Sequence, residues 1–270
     1  MPAESIAAPS TLVERVIRRD RLIVALAMAA ILALAWTYLV SMAAGMHAMA
    51  REAQMQAAMA MPEMRGWGAG AFGALFLMWA VMMTGMMLPS AAPMVLLVLG
   101  AYRRRGDGRA RLGSALFLAG YLLAWTVFSA AAAASQVMLH RAALLSADMA
   151  ARSTVLAGTI LLVAGAYQWL PIKNACLAHC RSPLGFLTRH WREGASGALR
   201  MGVEHGLFCI GCCWALMVLL FFAGVMNLLW VAAIALFVLI EKLAPRGPLA
   251  GRVAGAALVF WGAYVLIRGG

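Results

Sequence analysis

Charge is scarce in this chain, and it is lopsided. Of 270 residues, 12% are charged, with 10 Asp and Glu against 22 Lys and Arg. Hydrophobic residues make up 64% and mean hydropathy is +0.86. A water-soluble domain of this size has more polar surface than that, so a membrane protein is expected. The net charge of +12 invites a nucleic-acid reading. The basic residues, however, fall in clusters between apolar runs, as topology signals do, and no nucleic-acid partner is expected. No P-loop appears, so ATP-driven transport has no support. There is no clear internal repeat. Histidines number five, and a b-type haem would need two at one depth on two helices. His205 has no such mate, because His47 and His140 lie outside the apolar runs. Cysteines also number five, an odd count. Four form local pairs, C-x3-C at 176/180 and C-x2-C at 209/212, a spacing that suits metal or redox chemistry better than a disulfide scaffold.

What is present in abundance is apolar sequence. Seven segments, 22–44, 70–101, 114–138, 154–171, 199–226, 228–243 and 253–267, predict an all-α polytopic transmembrane bundle of six to seven helices in the lipid bilayer. The fourth, sixth and seventh are short for a full span. Residues 1–20 read as a cytoplasmic tail, its first dozen residues unstructured. Glu4 and Glu14 precede the basic "RVIRRDR", and the run that follows is long enough to span, so no cleaved signal is expected. Residues 21–268 read as one transmembrane domain with an outer loop at 45–66 and a cytoplasmic loop at 172–198. Placing the N-terminus inside puts seventeen basic residues in the cytoplasm and five outside. That asymmetry predicts N-in, C-out in a bacterial inner membrane.

The fifth segment carries "EHGLFCIGCCWALM". At about 100° per residue, His205, Cys209, Cys212 and Cys213 share an arc of about 100° on one helix face. His205 and Cys212 stand about 10 Å apart along the axis, and metal–sulfur bonds are about 2.3 Å. One mononuclear site therefore cannot use all four. Cys209 with Cys212 or Cys213 is the feasible local pair, and other ligands must come from another helix. The second segment offers Met82, Met83, Met86 and Met87, two i,i+4 pairs at the same depth. Pro89 and Pro93 remove hydrogen bonds to the carbonyls of Gly85 and Pro89 and should kink or open that helix. Thiolate and thioether sulfurs together select Cu(I) over harder ions. Methionine is also a common gap-filler, and free cysteine a small hydrophobe. Gly197, Gly202, Gly206 and Gly211 would let helices approach closely. Glu204, a turn inside the cytoplasmic edge, would snorkel or pair with an arginine.

The two loops add sulfur. Residues 46–64 hold Met46, Met49, Met55, Met59, Met61 and Met64 with His47. They suit either Cu(I) capture in an oxidising compartment or an amphipathic interfacial helix with its methionines on the apolar side. Residues 171–191 hold Cys176 and Cys180, four apart with His179 between, so a short helical turn would present both thiols to one ion.

The stretches "W..MM.GMMLPSAAP" (79–93), "CLAHCRSPLGFL" (176–187) and "MGVEHGLFCIGCCWALMVLLFFAGVMNLLWVAAIALFVLIEK" (201–242) resemble the bacterial "predicted metal-binding integral membrane protein" family. The resemblance covers residues 20–265. Some members are associated with copper supply to secreted copper oxidases such as tyrosinases. It implies Cys176, Cys180, His205, Cys209, Cys212 and Cys213 as metal ligands and copper as the metal. The methionine-rich stretch takes no support from it. The expectation is therefore a non-enzymatic protein that handles Cu(I), exchanging it between the Cys176/Cys180 pair and an intramembrane Cys/Met site and delivering it to a periplasmic copper-dependent oxidase. The alternative is a membrane thiol–disulfide oxidoreductase using Cys209 and Cys212; the third thiol and the methionines have no task in that scheme.

Overall fold

A computed structural model describes residues 12–58, 69–106, 108–145 and 150–269. Regular structure there is helical, apart from one isolated bridge between Leu145 and Ala151. That is the outcome an apolar solvent imposes, because a helix satisfies its own backbone polar groups. The helices are α1 (Leu12–Ala58), α2 (Ala69–Arg104), α3 (Ala110–Arg141), α4 (Thr154–Tyr167), α5 (Pro171–Arg181), α6 (Pro183–His190), α7 (Gly194–Val218), α8 (Leu220–Ala223, a single turn), α9 (Leu228–Leu243) and α10 (Gly247–Gly269).

Among the described residues, five helical stretches are long and apolar enough to cross a membrane: Arg19–Gly45, Phe72–Arg104, Ala110–Arg141, Gly194–Ala223 and Gly247–Arg268. On length and composition the chain is a membrane protein. The expected six to seven spans become five, or six if α4 and α5 form one broken span. These two are bent by 63°. The cause is local. Pro171 disfavours helical geometry at Leu170, which takes φ −65° and ψ 138°, and then starts α5 at its own N1 position. With 14 residues, α4 spans about 21 Å, short of a hydrocarbon core of about 30 Å. The 16 residues of α9 are likewise too few.

Three further expectations change. The first helix already begins at Leu12 and runs to Ala58, so the stretch read as an outer loop is helical as far as 58. The tail to residue 11, and Met59, Met61 and Met64, lie outside the described residues. The stretch 172–198 is built of α5, α6 and the first turn of α7 instead of loop. Pro89 and Pro93 do not break α2, which continues through both. The Ser90 hydroxyl, within that turn, donates to the Met87 carbonyl at 2.9 Å.

The site rests on the α3–α7 contact, the closest helix pairing in the fold. A Cβ on Gly202 would fall 2.8 Å from the Phe117 carbonyl carbon, and one on Gly206 would fall 2.7 Å from the Ala124 Cβ. The glycine stripe therefore does what its spacing suggested, letting α7 lie directly on the α3 backbone. The α5 helix packs on the other side of α7, and α9 closes the far side against α2. Buried polar groups pin these elements together. Lys173 on α5 pairs with Glu241 on α9 and with Gln168. Arg181 donates to the carbonyls of Glu241 (2.6 Å) and Ala244 (2.8 Å), satisfying orphan groups at the C-terminus of α9. Asp20 pairs with Arg103 and with Arg111, the latter at 2.9 Å, tying α1 to the α2–α3 turn. Glu204 takes Arg192 (3.3 Å) and Arg200 (3.2 Å) as partners, the pairing its position called for.

Candidate metal centre

The α7 face forms as the helical spacing requires. Cys209, Cys212 and Cys213 are buried at 0–1% exposure, and α3 and α2 cover them. The Tyr121 hydroxyl lies 3.1 Å from Cys209 Sγ and 3.4 Å from the Met87 carbonyl. Cys213 Sγ is 4.0 Å from Met87 Sδ. Met82, Met83 and Met86 are buried in the same core cluster as Met87 and the three thiols.

The α5 thiols are the main surprise. Sequence reading put Cys176 and Cys180 in a cytoplasmic loop, as a station separate from the central thiols. Instead α5 folds back against α7, and Cys176 and Cys180 pack against the buried cluster that holds Cys209, Cys212 and Cys213. Cys176 sits one turn away, over Gly211. A Cβ added there would fall 2.6 Å from Cys176 Sγ, so the glycine makes room for that thiol. The two sulfurs, four residues apart on one helix face, thus line the α5–α7 seam.

Lys242 was missed altogether. It had been counted among the seventeen cytoplasmic charges, as had Lys173. Both are buried, at 6% and 1% exposure. Lys242 Nζ donates to Cys209 Sγ at 2.9 Å and to Ser90 Oγ at 3.0 Å. An ammonium has donors only, so Cys209 is the acceptor. A sulfur facing a buried cation is set up to carry negative charge, and the thiolate is the metal-binding form of cysteine. The signal was available: "LFVLIEK" carries the apolar run of α9 straight into Glu241 and Lys242, with no turn residue before them.

His205 occupies a cage of rings, with centroids 5.1 Å from Phe186 and 5.8 Å from both Phe117 and Tyr121. It is 3% exposed, and its Nδ1 has no partner.

Among the described residues, no three His, Cys, Asp or Glu side chains already enclose a point where an ion would sit. Cys212 Sγ and Cys213 Sγ both donate back to the Cys209 carbonyl, at 3.1 and 3.0 Å. Rotation about χ1 between staggered wells swings either sulfur off the backbone. The donor set itself, thiols with a thioether at the edge and an ammonium for charge, is one that a soft monovalent ion fits.

Helices α2, α3, α5, α7 and α9 thus define a membrane protein with a buried sulfur cluster where they meet. The PpoB2 copper chaperone family model matches residues 76–265, a range that includes every cysteine described above, and the chain belongs to that family. No curated protein and no solved structure gives a match.

Proposed function

We propose that this protein binds Cu(I) at a sulfur centre inside the bundle and hands it to a copper-dependent protein on the outer side of a bacterial inner membrane. The observation that carries the reading is one buried cluster that holds Cys209, Cys212 and Cys213, with Cys180 packed on it, Met87 beside Cys213 and the Lys242 ammonium against Cys209. Cu(I) is soft, and thiolates with thioethers prefer it to harder ions. Two thiolates and Cu(I) make a complex of charge −1, and the Lys242 ammonium neutralises it. No bond is made or broken in the cargo, so the role is non-enzymatic. The client we favour is a periplasmic copper oxidase.

Purified under reducing conditions, the protein is expected to take up Cu(I) in preference to Zn(II). Met87→Leu then separates this role from a thiol–disulfide relay. Leucine conserves volume and apolarity, at a cost under about 1.5 kcal/mol. Thioethers take no part in thiol exchange. We expect Cu(I) affinity to fall about tenfold, roughly 1.4 kcal/mol, in Met87→Leu and to stay unchanged in Met82→Leu. If both variants bind like the parent while Cys209 and Cys212 cycle readily between dithiol and disulfide, the relay replaces the chaperone.

The charge asymmetry still favours N-in, C-out with Lys173 and Lys242 removed from the count. Reporter fusions after Arg105 and after Ala60 should therefore localise to opposite sides. Fusions reporting the same side would refute the topology and, with it, the direction of delivery.

A further inference from the structure

Two histidines remain that the sulfur centre does not use. His179 closes α5 immediately before Cys180, and His190 ends α6. Their ring centroids stand 6.0 Å apart. His179 Nδ1 lies 2.9 Å from the Ala175 carbonyl, and His190 Nδ1 lies 3.2 Å from the Phe186 carbonyl. A carbonyl only accepts, so each Nδ1 is the donor, and in the neutral ring Nε2 is the nitrogen left with a lone pair. This is the arrangement by which ligating histidines are fixed in tautomer and orientation. Neither Nε2 has a hydrogen-bond partner among the described residues. The rings are also clamped. His179 stacks on Phe208 at 4.0 Å and 1°, and His190 on Phe186 at 4.6 Å and 12°. Two metal–nitrogen bonds of about 2.0 Å each, plus two ring radii, span about 6 Å, so the ring separation of 6.0 Å leaves room for one ion shared by the two imidazoles.

Three surroundings bear on this pair. A half-open cavity of about 220 Å³ is lined by Ala178, His179, Ser182, Gly185, Phe186 and Arg189, so an ion has a way in to His179, the member of the pair that lines it. Directly behind stands His205. Its ring also packs on Phe186, its buried Nδ1 is unpartnered, and it sits one helical turn before Cys209. Cys180 follows His179 in the chain and packs against the cluster that holds Cys209. Donors thus run from borderline imidazole at the rim to soft sulfur at the centre, and a soft ion moves down that gradient. Arg189 at the rim disfavours a bare cation and suits copper arriving as an anionic thiolate complex.

We propose that His179 and His190 form a two-imidazole vestibule that takes Cu(I) from an anionic thiol complex and passes it to Cys180 and Cys209; this rests on the sulfur-centre reading. The test uses the full chain and Cu(I) supplied as its glutathione complex. His179→Phe with His190→Phe keeps ring volume and stacking but removes both lone pairs. The expected result is loading slowed at least about tenfold, with the final copper content unchanged. An unchanged loading rate overturns the vestibule. A second arm removes all sulfur ligands by C176S, C180S, C209S, C212S and C213S together. X-ray absorption on this variant should show a nitrogen-only copper shell that vanishes when both histidines are also replaced. A cysteine-free chain with no such copper overturns the vestibule while leaving the sulfur centre standing. A wild-type chain with no sulfur-bound copper overturns the sulfur centre, and the cysteine-free arm still decides the vestibule.

Discussion

Cys209→Ser is expected to lower Cu(I) affinity by about a thousandfold, close to 4 kcal/mol, and Cys176→Ser by less than about tenfold. The difference follows from connectivity. The Cys209 thiol meets the Lys242 ammonium and the Tyr121 hydroxyl, and the Cys209 carbonyl holds the thiols of Cys212 and Cys213. A two-thiolate site in this cluster draws on it. Cys180 should rank next, because it brings a thiol from a second helix packed against the cluster. Cys176 has Gly211 under it and serves at most as a neighbouring donor. Serine leaves an oxygen that still accepts from Lys242 and Tyr121, so the fold should hold and the effect should lie in the metal. Competition against a chromophoric Cu(I) chelator measures it, with thermal unfolding as the control for folding. Equal losses from Cys176→Ser and Cys209→Ser would mean that the seam between α5 and α7, and not the cluster, holds the ion.

The ranking could not have been read from the sequence. Spacing on one helix placed Cys209, Cys212 and Cys213 together, because 3.6 residues per turn fixes that face regardless of what surrounds it. It also marked Gly202 and Gly206 as a close-approach surface. Depth matching brought the α2 methionines to the right level but could not say that Met87 lies beside Cys213, since helix rotation depends on tertiary packing. Cys180 was misplaced for a related reason. The basic residues around it looked like a cytoplasmic loop, and nothing local showed that Pro171 turns the chain back on α7. Lys173 and Lys242 were misread because a charge at the end of an apolar run ordinarily marks the membrane edge. Here each found a buried partner, which no single-helix pattern reveals. The span count depends on α4 and α9, where hydropathy is high but helix length is short, and the upper count of six needs α4 and α5 to form one broken span.

Lys242→Leu is expected to weaken Cu(I) binding about a hundredfold, while Lys242→Arg stays within about tenfold of the parent. Leucine keeps an apolar side chain there and brings neither charge nor a sulfur ligand. In the metal-free protein the loss is tolerable, because Cys209 can stay a neutral thiol that still donates or accepts weakly. In the loaded protein it is not. A bis-thiolate Cu(I) complex carries −1, and a buried charge without a partner costs several kcal/mol. The Lys173–Glu241 pair next door offers no relief, since its charges already cancel. The variant has one cheap way out, a neutral complex of one thiolate and one thioether, with Met87 near enough to supply the latter. X-ray absorption should therefore show the Leu variant losing a short copper–thiolate contact, with any remaining copper bound through fewer thiolates than in the parent. Arginine keeps the charge but spreads it over a planar fork that fits a compact ammonium site less well, which accounts for its intermediate place. A Lys242→Leu protein that binds Cu(I) as tightly as the parent, with the same sulfur count, would show that the complex is not anionic and that Lys242 only ties α9 to Ser90.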